Sequence, residues 1–446
     1  MSASLEKLLR DARIDLILAR VEKDPSIIEE IIGFLKNDIR SIKFNAIYTL
    51  GELGEKAGSA LTQLVECLDD NDWSICRETV RSIGKLGKIE EKAVNDIAKF
   101  IKSEEESIRK EVAISLGKIG HPSKLVISSL IQGVKDGSEA VRKESAEALG
   151  KLGAGAQESL TDLVNCVRDQ SWSVRAAAVN SLSIIGKGTQ KAIPYLLKAL
   201  GDKDWRVRKA IISTLSHIGA EATPSLLAYL KHYNPIIRKG VVKALGELKL
   251  SDPEVLEELY NVLSDTKKGI QGKAADALRN IGKPALPVLI KATGDSKKEI
   301  RSLAIWAIGG MGEEAIDVIP DLIKMLEDEK SVVRTESVRA FGKLGKIASD
   351  AVPALIKTLM DKDMRVRSES AITLGKIGPT AAKAIPELIN SLNDKKMDVR
   401  WRSVEALSKI NPEDPQVISV LETLVHDKSD LIATVAMEAL DEIKGT

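Results

Sequence analysis

Aromatic residues are scarce: Phe, Trp and Tyr make up 3% of the 446 residues, while 43% are apolar, mostly Ala, Ile, Leu and Val. That composition suits closely packed helices. Cysteine is nearly absent. Cys67, Cys76 and Cys166 form no CxxC pair and no disulfide framework, and they read as small buried apolar residues. An excess of either charge is missing too. Lys plus Arg total 66 and Asp plus Glu 65, a formal net charge of +1, so the chain is neither a polycation nor an acidic tail. No run of 18 apolar residues occurs, and the start, MSASLEKLLR, lacks an apolar signal core. The expectation is a soluble cytoplasmic protein without a membrane span. The four histidines, His121, His217, His232 and His426, show neither HExxH spacing nor a His-Glu pair, and no phosphate loop or GxSxG elbow is present. No catalytic residue, metal or cofactor is expected, and the chain does not read as an enzyme.

What the chain does have is one pattern repeated. In DKDMRVRSESAITLGKIG, Asp361–Gly378, let Val366 be position zero. Small or apolar residues fall at zero, four, eight and eleven, and glycine at nine and twelve, which is one stripe of a helix. Asp361 is expected to cap the helix start and Gly378 to close its end. Position zero recurs at Ile42, Ile75, Ile108, Val141, Val174, Val207, Ile237, Ile270, Ile300, Val333, Val366, Val399 and Ile432. The steps are 33 residues, except for 30 from Val207 to Ile237 and from Ile270 to Ile300. One such helix cannot bury its stripe alone, so a fixed period of this length means a solenoid. The fold class expected is all-α, about 13 antiparallel helix pairs.

An earlier helix precedes each of these, as in AIPYLLKALGD, Ala192–Asp202. Pro194, Pro224, Pro287, Pro320, Pro353 and Pro386 recur near its start, where a missing N–H costs nothing. An Asp five residues before position zero recurs at Asp70, Asp136, Asp169, Asp202, Asp265, Asp295, Asp328, Asp361, Asp394 and Asp427. Position one is arginine at Arg109, Arg142, Arg175, Arg208, Arg238, Arg301, Arg334, Arg367 and Arg400. These arginines could bind an anionic polymer, or each could pair with the Asp of a turn and hold one unit to the next. Position one flanks the buried stripe and the two residue types recur together, so the structural ladder is the preferred reading, Arg208 included.

The lines VRKESAEALGKLG (Val141–Gly153), VRSESAITLGKIG (Val366–Gly378) and AIPYLLKALGD resemble the short HEAT-like repeats named after the phycobilisome lyases. The likeness runs from residue 25 to about 445. It implies a right-handed superhelical α-solenoid whose later helices line the concave surface, and it says almost nothing about activity. Relatives of this fold include a hydroxylase of deoxyhypusine, whose His-Glu pairs are lacking here.

Residues 1–24, with one amphipathic helix over 4–20, read as an N-terminal cap; 25–413 as the repeats; and 414–446 as a last repeat whose polar face (Glu438, Asp441, Glu442, Lys444) caps the end. Both 30-residue steps fall between Val207 and Ile300, so residues 220–300 read as a change of curvature. Outward positions of the later helix are two, three, six and ten. Trp306 and Trp401 fall there, with Leu303, as candidate anchors. Phe44 and Tyr48 share such positions but read as covered by the N-terminal cap. Trp73, Trp172 and Trp205, two before position zero, read as stacked on the neighbouring unit. Lys209, Lys239, Lys243 and Lys273, near Glu247 and Asp276, form a weak basic tract. Together these point to a monomeric scaffold holding a protein partner. Alternatives are a nucleic-acid-binding protein similar to the alkylpurine DNA glycosylases, against which the net charge argues, and a lyase-type chaperone for a tetrapyrrole.

Overall fold

The computed structural model describes residues 4–185, 189–267, 269–411 and 413–444. The described residues are helical and contain no strand. Contacts divide the chain into two compact units, Met1–Ser225 and Leu226–Thr446.

Every position zero lies at or near the start of a later helix, from Arg40–Leu53 to Asp430–Lys444. The recurring prolines occupy the second residue of earlier helices such as Ile193–Ala199, Ile319–Lys324 and Ile385–Ser391, as their missing N–H requires. Gly378 closes its helix with φ 76° and ψ −144°, a region open in practice only to glycine. Lys249, which replaces that glycine in its repeat, adopts true left-handed helical angles instead, φ 51° and ψ 34°.

The buried stripe is wider than its spacing implied. In Ser331–Leu344 the core residues are Val333, Arg334, Thr335, Ser337, Val338, Ala340, Phe341 and Leu344, so positions one, two, five and seven join it, and Thr335 at position two is buried where an outward residue was expected. The reason is that each later helix packs against its own earlier helix and also against later helices of adjoining repeats. Position seven faces position nine of the preceding repeat. A Cβ on Gly309 would lie 2.7 Å from Cα and Cβ of Ala340, so glycine there permits the close approach. Where position seven is Ser or Thr, its hydroxyl donates to a carbonyl of the preceding later helix: Ser115 Oγ to Val80 O (3.0 Å), Ser181 Oγ to Ala146 O (2.7 Å) and Thr373 Oγ1 to Val338 O (3.0 Å). That explains polar residues at the centre of the core.

The turn between the paired helices also departs from expectation. Asp361 does not cap the helix; Asp363 does, accepting from the Arg365 N–H at 3.0 Å. Asp361 sits one turn earlier. Its Oδ1 takes the Asp363 N–H at 2.8 Å, and both oxygens take Arg334 of the preceding repeat, Nε at 2.7 Å and Nη2 at 2.8 Å. Arg334 Nη1 meanwhile donates to the Asp328 and Glu329 carbonyls of its own turn. This clamp recurs at Arg109–Asp136, Arg142–Asp169, Arg175–Asp202, Arg238–Asp265, Arg301–Asp328 and Arg367–Asp394. Lys43–Asp70 is its lysine version. Seven of the nine arginines are therefore structural and largely enclosed, the Arg334 side chain keeping 6% of its surface; Arg208 and Arg400 make no such pair and donate to carbonyls of their own turns, Asp202 O and Lys203 O, and Asp394 O.

Two further corrections follow. The N-terminal segment is two helices, Leu5–Arg10 and Ile14–Lys23, not one. Arg13 N–H reaches Leu8 O and Ala12 N–H reaches Leu9 O, with Ala12 left-handed at φ 51°, a helix-ending turn. The break lets both helices pack on Arg40–Leu53, where Asn45 Nδ2 donates to Leu9 O. Trp73, Trp172 and Trp205 are exposed; Arg206 of the following repeat covers the Trp172 ring at 3.3 Å, as stacking on the neighbouring unit requires, whereas the Trp73 ring meets Arg77 of its own helix at 5.3 Å. At the C-terminal end Glu438 and Asp441 are exposed, while the side chains of Glu442 and Lys444 lie outside the described residues.

Candidate protein-binding face

Four successive later helices of the second unit, Pro235–Leu248, Ile270–Ile281, Lys298–Gly309 and Ser331–Leu344, pack in a row. Their non-core positions form one shared face. Ile270–Ile281 breaks the repeat's rule here, because position nine is Arg279 where glycine is usual. Gly310, at position ten of the next repeat, makes the room: a Cβ there would lie 2.7 Å from Arg279 Cδ.

Arg279 ends over Trp306, its guanidinium carbon 4.7 Å from the ring centroid, and Lys343 brings a second cation to 5.3 Å from the same ring. Asp276 is shared between Lys273 Nζ (2.7 Å) and Arg279 Nη2 (3.1 Å). Glu336 is shared between Lys343 (3.7 Å) and Arg339 (3.9 Å). Partial burial lowers the pKa of the Lys343 ammonium; Glu336 opposes that shift and the charge of Arg279 adds to it. Arg339 is taken up mainly by Glu369 at 2.6 Å, so the half-buried indole is flanked by two cations, Arg279 and Lys343, with Asp276 and Glu336 beside them. Beside them a cavity of about 340 Å³ is lined by Lys243, Glu247, Lys273, Asp276, Arg279 and Asn280. The arrangement can hold an anionic group against an apolar surface; it presents no nucleophile–base pair.

Of the residues singled out from sequence, the structure brings Lys243 and Lys273 together at the cavity and sets Leu303 and Trp306 on the adjoining helix. Lys239 and Lys243 are exposed, and Leu303 and Trp306 are half-buried. Lys209 is exposed on Trp205–Ile218 of the first unit. Trp401 lies on Met397–Ile410, its Nε1 donating to Asp398 Oδ1 at 3.3 Å and its ring covered by Arg402 at 3.4 Å. Arg279 and Lys343 were missed by sequence reasoning. An arginine in the glycine slot was the available signal.

The three cysteines are buried, and burial pushes the Cys76 and Cys166 thiols up to about 11. Cys67 and Cys166 occupy equivalent places, each Sγ 3.9 Å from the carbonyl 32 residues earlier, Leu35 O and Val134 O. Among the described residues no group of three or more His, Cys, Asp or Glu is placed to hold a metal, and no helix is long and apolar enough to cross a membrane.

A family profile described as HEAT repeats matches residues 61–127, 127–189, 167–232, 223–309, 286–363, 319–385 and 352–441. The chain belongs to the HEAT-repeat family. An uncharacterized protein of Methanocaldococcus jannaschii is 33% identical over 66 residues, which is 15% of this chain and 31% of that protein. Among solved structures, the karyopherin Kap121p bound to the SUMO protease Ulp1p gives a TM-score of 0.58 at 16% identity, covering 95% of this chain and 53% of that one. Kap121p bound to Nup53p gives 0.57, also at 16% identity, with 95% and 53% covered. This HEAT-repeat chain thus spans about half the length of the karyopherin chains it matches, and at that identity the likeness shows the fold, an α-solenoid.

Proposed function

We propose that this HEAT-repeat chain is a scaffold that holds a partner protein on the shared face of later helices in its second unit. The observation that carries the reading is the Arg279–Trp306–Lys343 cluster. Nothing in the repeat requires an arginine in the glycine slot, and Gly310 of the next repeat leaves room for its side chain. A half-buried indole set among cations, beside a cavity and the exposed Lys239 and Lys243, suits a partner segment that offers a carboxylate next to an apolar side chain. Asp276 and Glu247 among the cations make the face a poor track for a continuous polyphosphate. The fold lends support: Kap121p is seen bound to Nup53p, Pho4p and Ulp1p, all proteins.

The test is affinity capture from a cell extract followed by titration of the captured protein. Trp306→Ala and Arg279→Ala should each weaken binding by roughly 2 kcal/mol, while Trp401→Ala on the same unit leaves it unchanged. A partner that binds all three variants as well as the parent chain would refute the site.

A further inference from the structure

A second surface of the second unit has no place in that reading. We infer that the row of turns between paired helices from residue 295 to residue 398 docks an acidic, extended polypeptide segment. Lys297, Lys298, Lys330, Lys362, Lys395 and Lys396 are all exposed along these turns. The clamp already accounts for the turn aspartates: Asp328, Asp361 and Asp394 are taken by Arg301, Arg334 and Arg367, and their Oδ1 atoms also accept the N–H of Lys330, Asp363 and Lys396. The lysine side chains take no part in the clamp; Lys298 and Lys330 meet only exposed neighbours, Glu299 at 3.8 Å and Glu329 at 3.6 Å. Two turns of the first unit supply the control. Those at Asp136 and Asp169 keep the same clamp with Gly137-Ser138-Glu139 and Gln170-Ser171-Trp172, without a lysine, and Ser103 is followed by Glu104, Glu105 and Glu106; the clamped turn at Asp202 carries a single lysine, Lys203. The fold does not demand the basic row.

The turns also enclose an open groove of about 700 Å³ in which Lys298, Lys330, Lys362 and Arg365 surround Val332 and Met364. Val332 is 45% exposed, and Met360 and Met397 nearby on the chain are 70% and 47% exposed. Cations alternate with apolar side chains, which suits a peptide better than a phosphate polymer, and Glu329 and Asp363 in the groove would repel closely spaced phosphates. Stacked helices repeat at about 8–10 Å and an extended chain advances about 3.3 Å per residue. An acidic residue at every third position of the segment would therefore meet successive turns.

The probe is a fluorescein-labelled peptide of five Glu-Leu-Ser triplets, read by anisotropy at about 0.05 M salt. The wild-type chain should bind it. Lys330→Glu/Lys362→Glu, checked by circular dichroism to be folded, should bind at least about tenfold more weakly, and so should the wild type toward a Gln-Leu-Ser peptide or an oligothymidylate of equal length. Lys239→Glu/Lys243→Glu should bind the peptide unchanged, which separates this surface from the later-helix face. No binding by the wild type, undiminished binding by the folded Lys330/Lys362 variant, or an oligothymidylate that binds as tightly as the peptide would each overturn the proposal.

Discussion

Two stretches of the second unit build the same helix pairs with different turns. From Arg301 to Asp394 the clamp repeats without interruption: Arg301–Asp328, Arg334–Asp361, Arg367–Asp394. Between His232 and Asp295 it survives once, at Arg238–Asp265. On one side the aspartate's place is held by His232, which still caps its turn through Nδ1 to the Asn234 N–H (3.0 Å) but offers no carboxylate. On the other side the arginine's place is held by Gln271, and Asp295 accepts the Tyr260 hydroxyl at 2.9 Å instead. Both losses coincide with the 30-residue steps. The missing residues come from the 3-10 connection into the next repeat, seven residues long at Gly345–Ala351 but four at Gly219–Ala222 and three at Lys283–Ala285. The stripe of apolar positions persists through both stretches. Packing and clamp are therefore separate layers of one repeat, and the clamp is the layer that yields: it is lost at both shortened connections, and also at Arg400, which donates to the Asp394 carbonyl although Asp427 stands at the usual spacing.

If packing is the deeper layer, breaking it should cost most. Gly309→Val places a side chain 2.7 Å from the backbone and Cβ of Ala340, where a flexible tip cannot yield. A loss of about 3 kcal/mol is expected in denaturant unfolding. A loss below that of any single clamp variant would reverse the ranking of the two layers.

Breaking the clamp should matter only where it is whole. Arg334→Ala leaves the Asp361 carboxylate half-enclosed without its counter-ion, with an expected cost of about 2 kcal/mol. Arg208→Ala should cost well under half of that, because the residue in the aspartate's place is His232 and Arg208 keeps only carbonyl partners, Asp202 O and Lys203 O. Acid distinguishes the two further. Burial pushes the Asp361 carboxyl up, but the hydrogen bonds from Arg334 and from the Asp363 N–H outweigh it and hold its pKa below the ordinary value. A depressed carboxyl stabilises the fold fully above the unfolded pKa, about 3.9, and that contribution is lost as pH falls through the lower folded value. The difference in stability between wild type and Arg334→Ala should therefore shrink below about pH 4, while the small Arg208 difference stays flat.

The repeat itself was legible because its signals are local. Proline at the second helical residue, glycine at the helix end and a 33-residue spacing each have a cause within one repeat, and the Arg–Asp clamp followed from two residue types recurring together. What escaped depended on neighbours. The burial of positions five and seven needs flanking later helices that a single helical wheel does not show. The exception at Arg208 needed the aspartate register to be carried through a shortened connection to His232. Trp306 was singled out for its position on the outward face, yet the pair of cations that gives the ring its character comes from Arg279 and Lys343 on the two adjoining later helices. Trp401 satisfied the same positional rule and met Asp398 and Arg402 of its own helix instead.

Restoring a clamp should have the smallest effect and separates two causes of its loss. At Gln271 either the side chain alone is missing, or the short Lys283–Ala285 connection and the turn leading in have moved the groups apart. That turn is unusual: Gly269 is left-handed at φ 89° and the helix begins at Ile270 itself, whereas Met364–Ile377 begins two residues before its position zero. Gln271→Arg offers the Asp295 carboxylate a guanidinium in place of a neutral amide. If only the side chain was missing, thermal unfolding should show a gain of about 0.5–1 kcal/mol, and Tyr260→Phe, harmful in the parent chain, should become nearly neutral in the arginine variant. Asp295 is already held below its ordinary pKa by the Lys297 N–H, against burial and with help from Tyr260, so a new clamp would also steepen the loss of stability below about pH 4. An arginine that brings no gain, with Tyr260→Phe equally harmful in both backgrounds, would assign the broken clamp to the backbone of the short step rather than to the residue that happens to stand there.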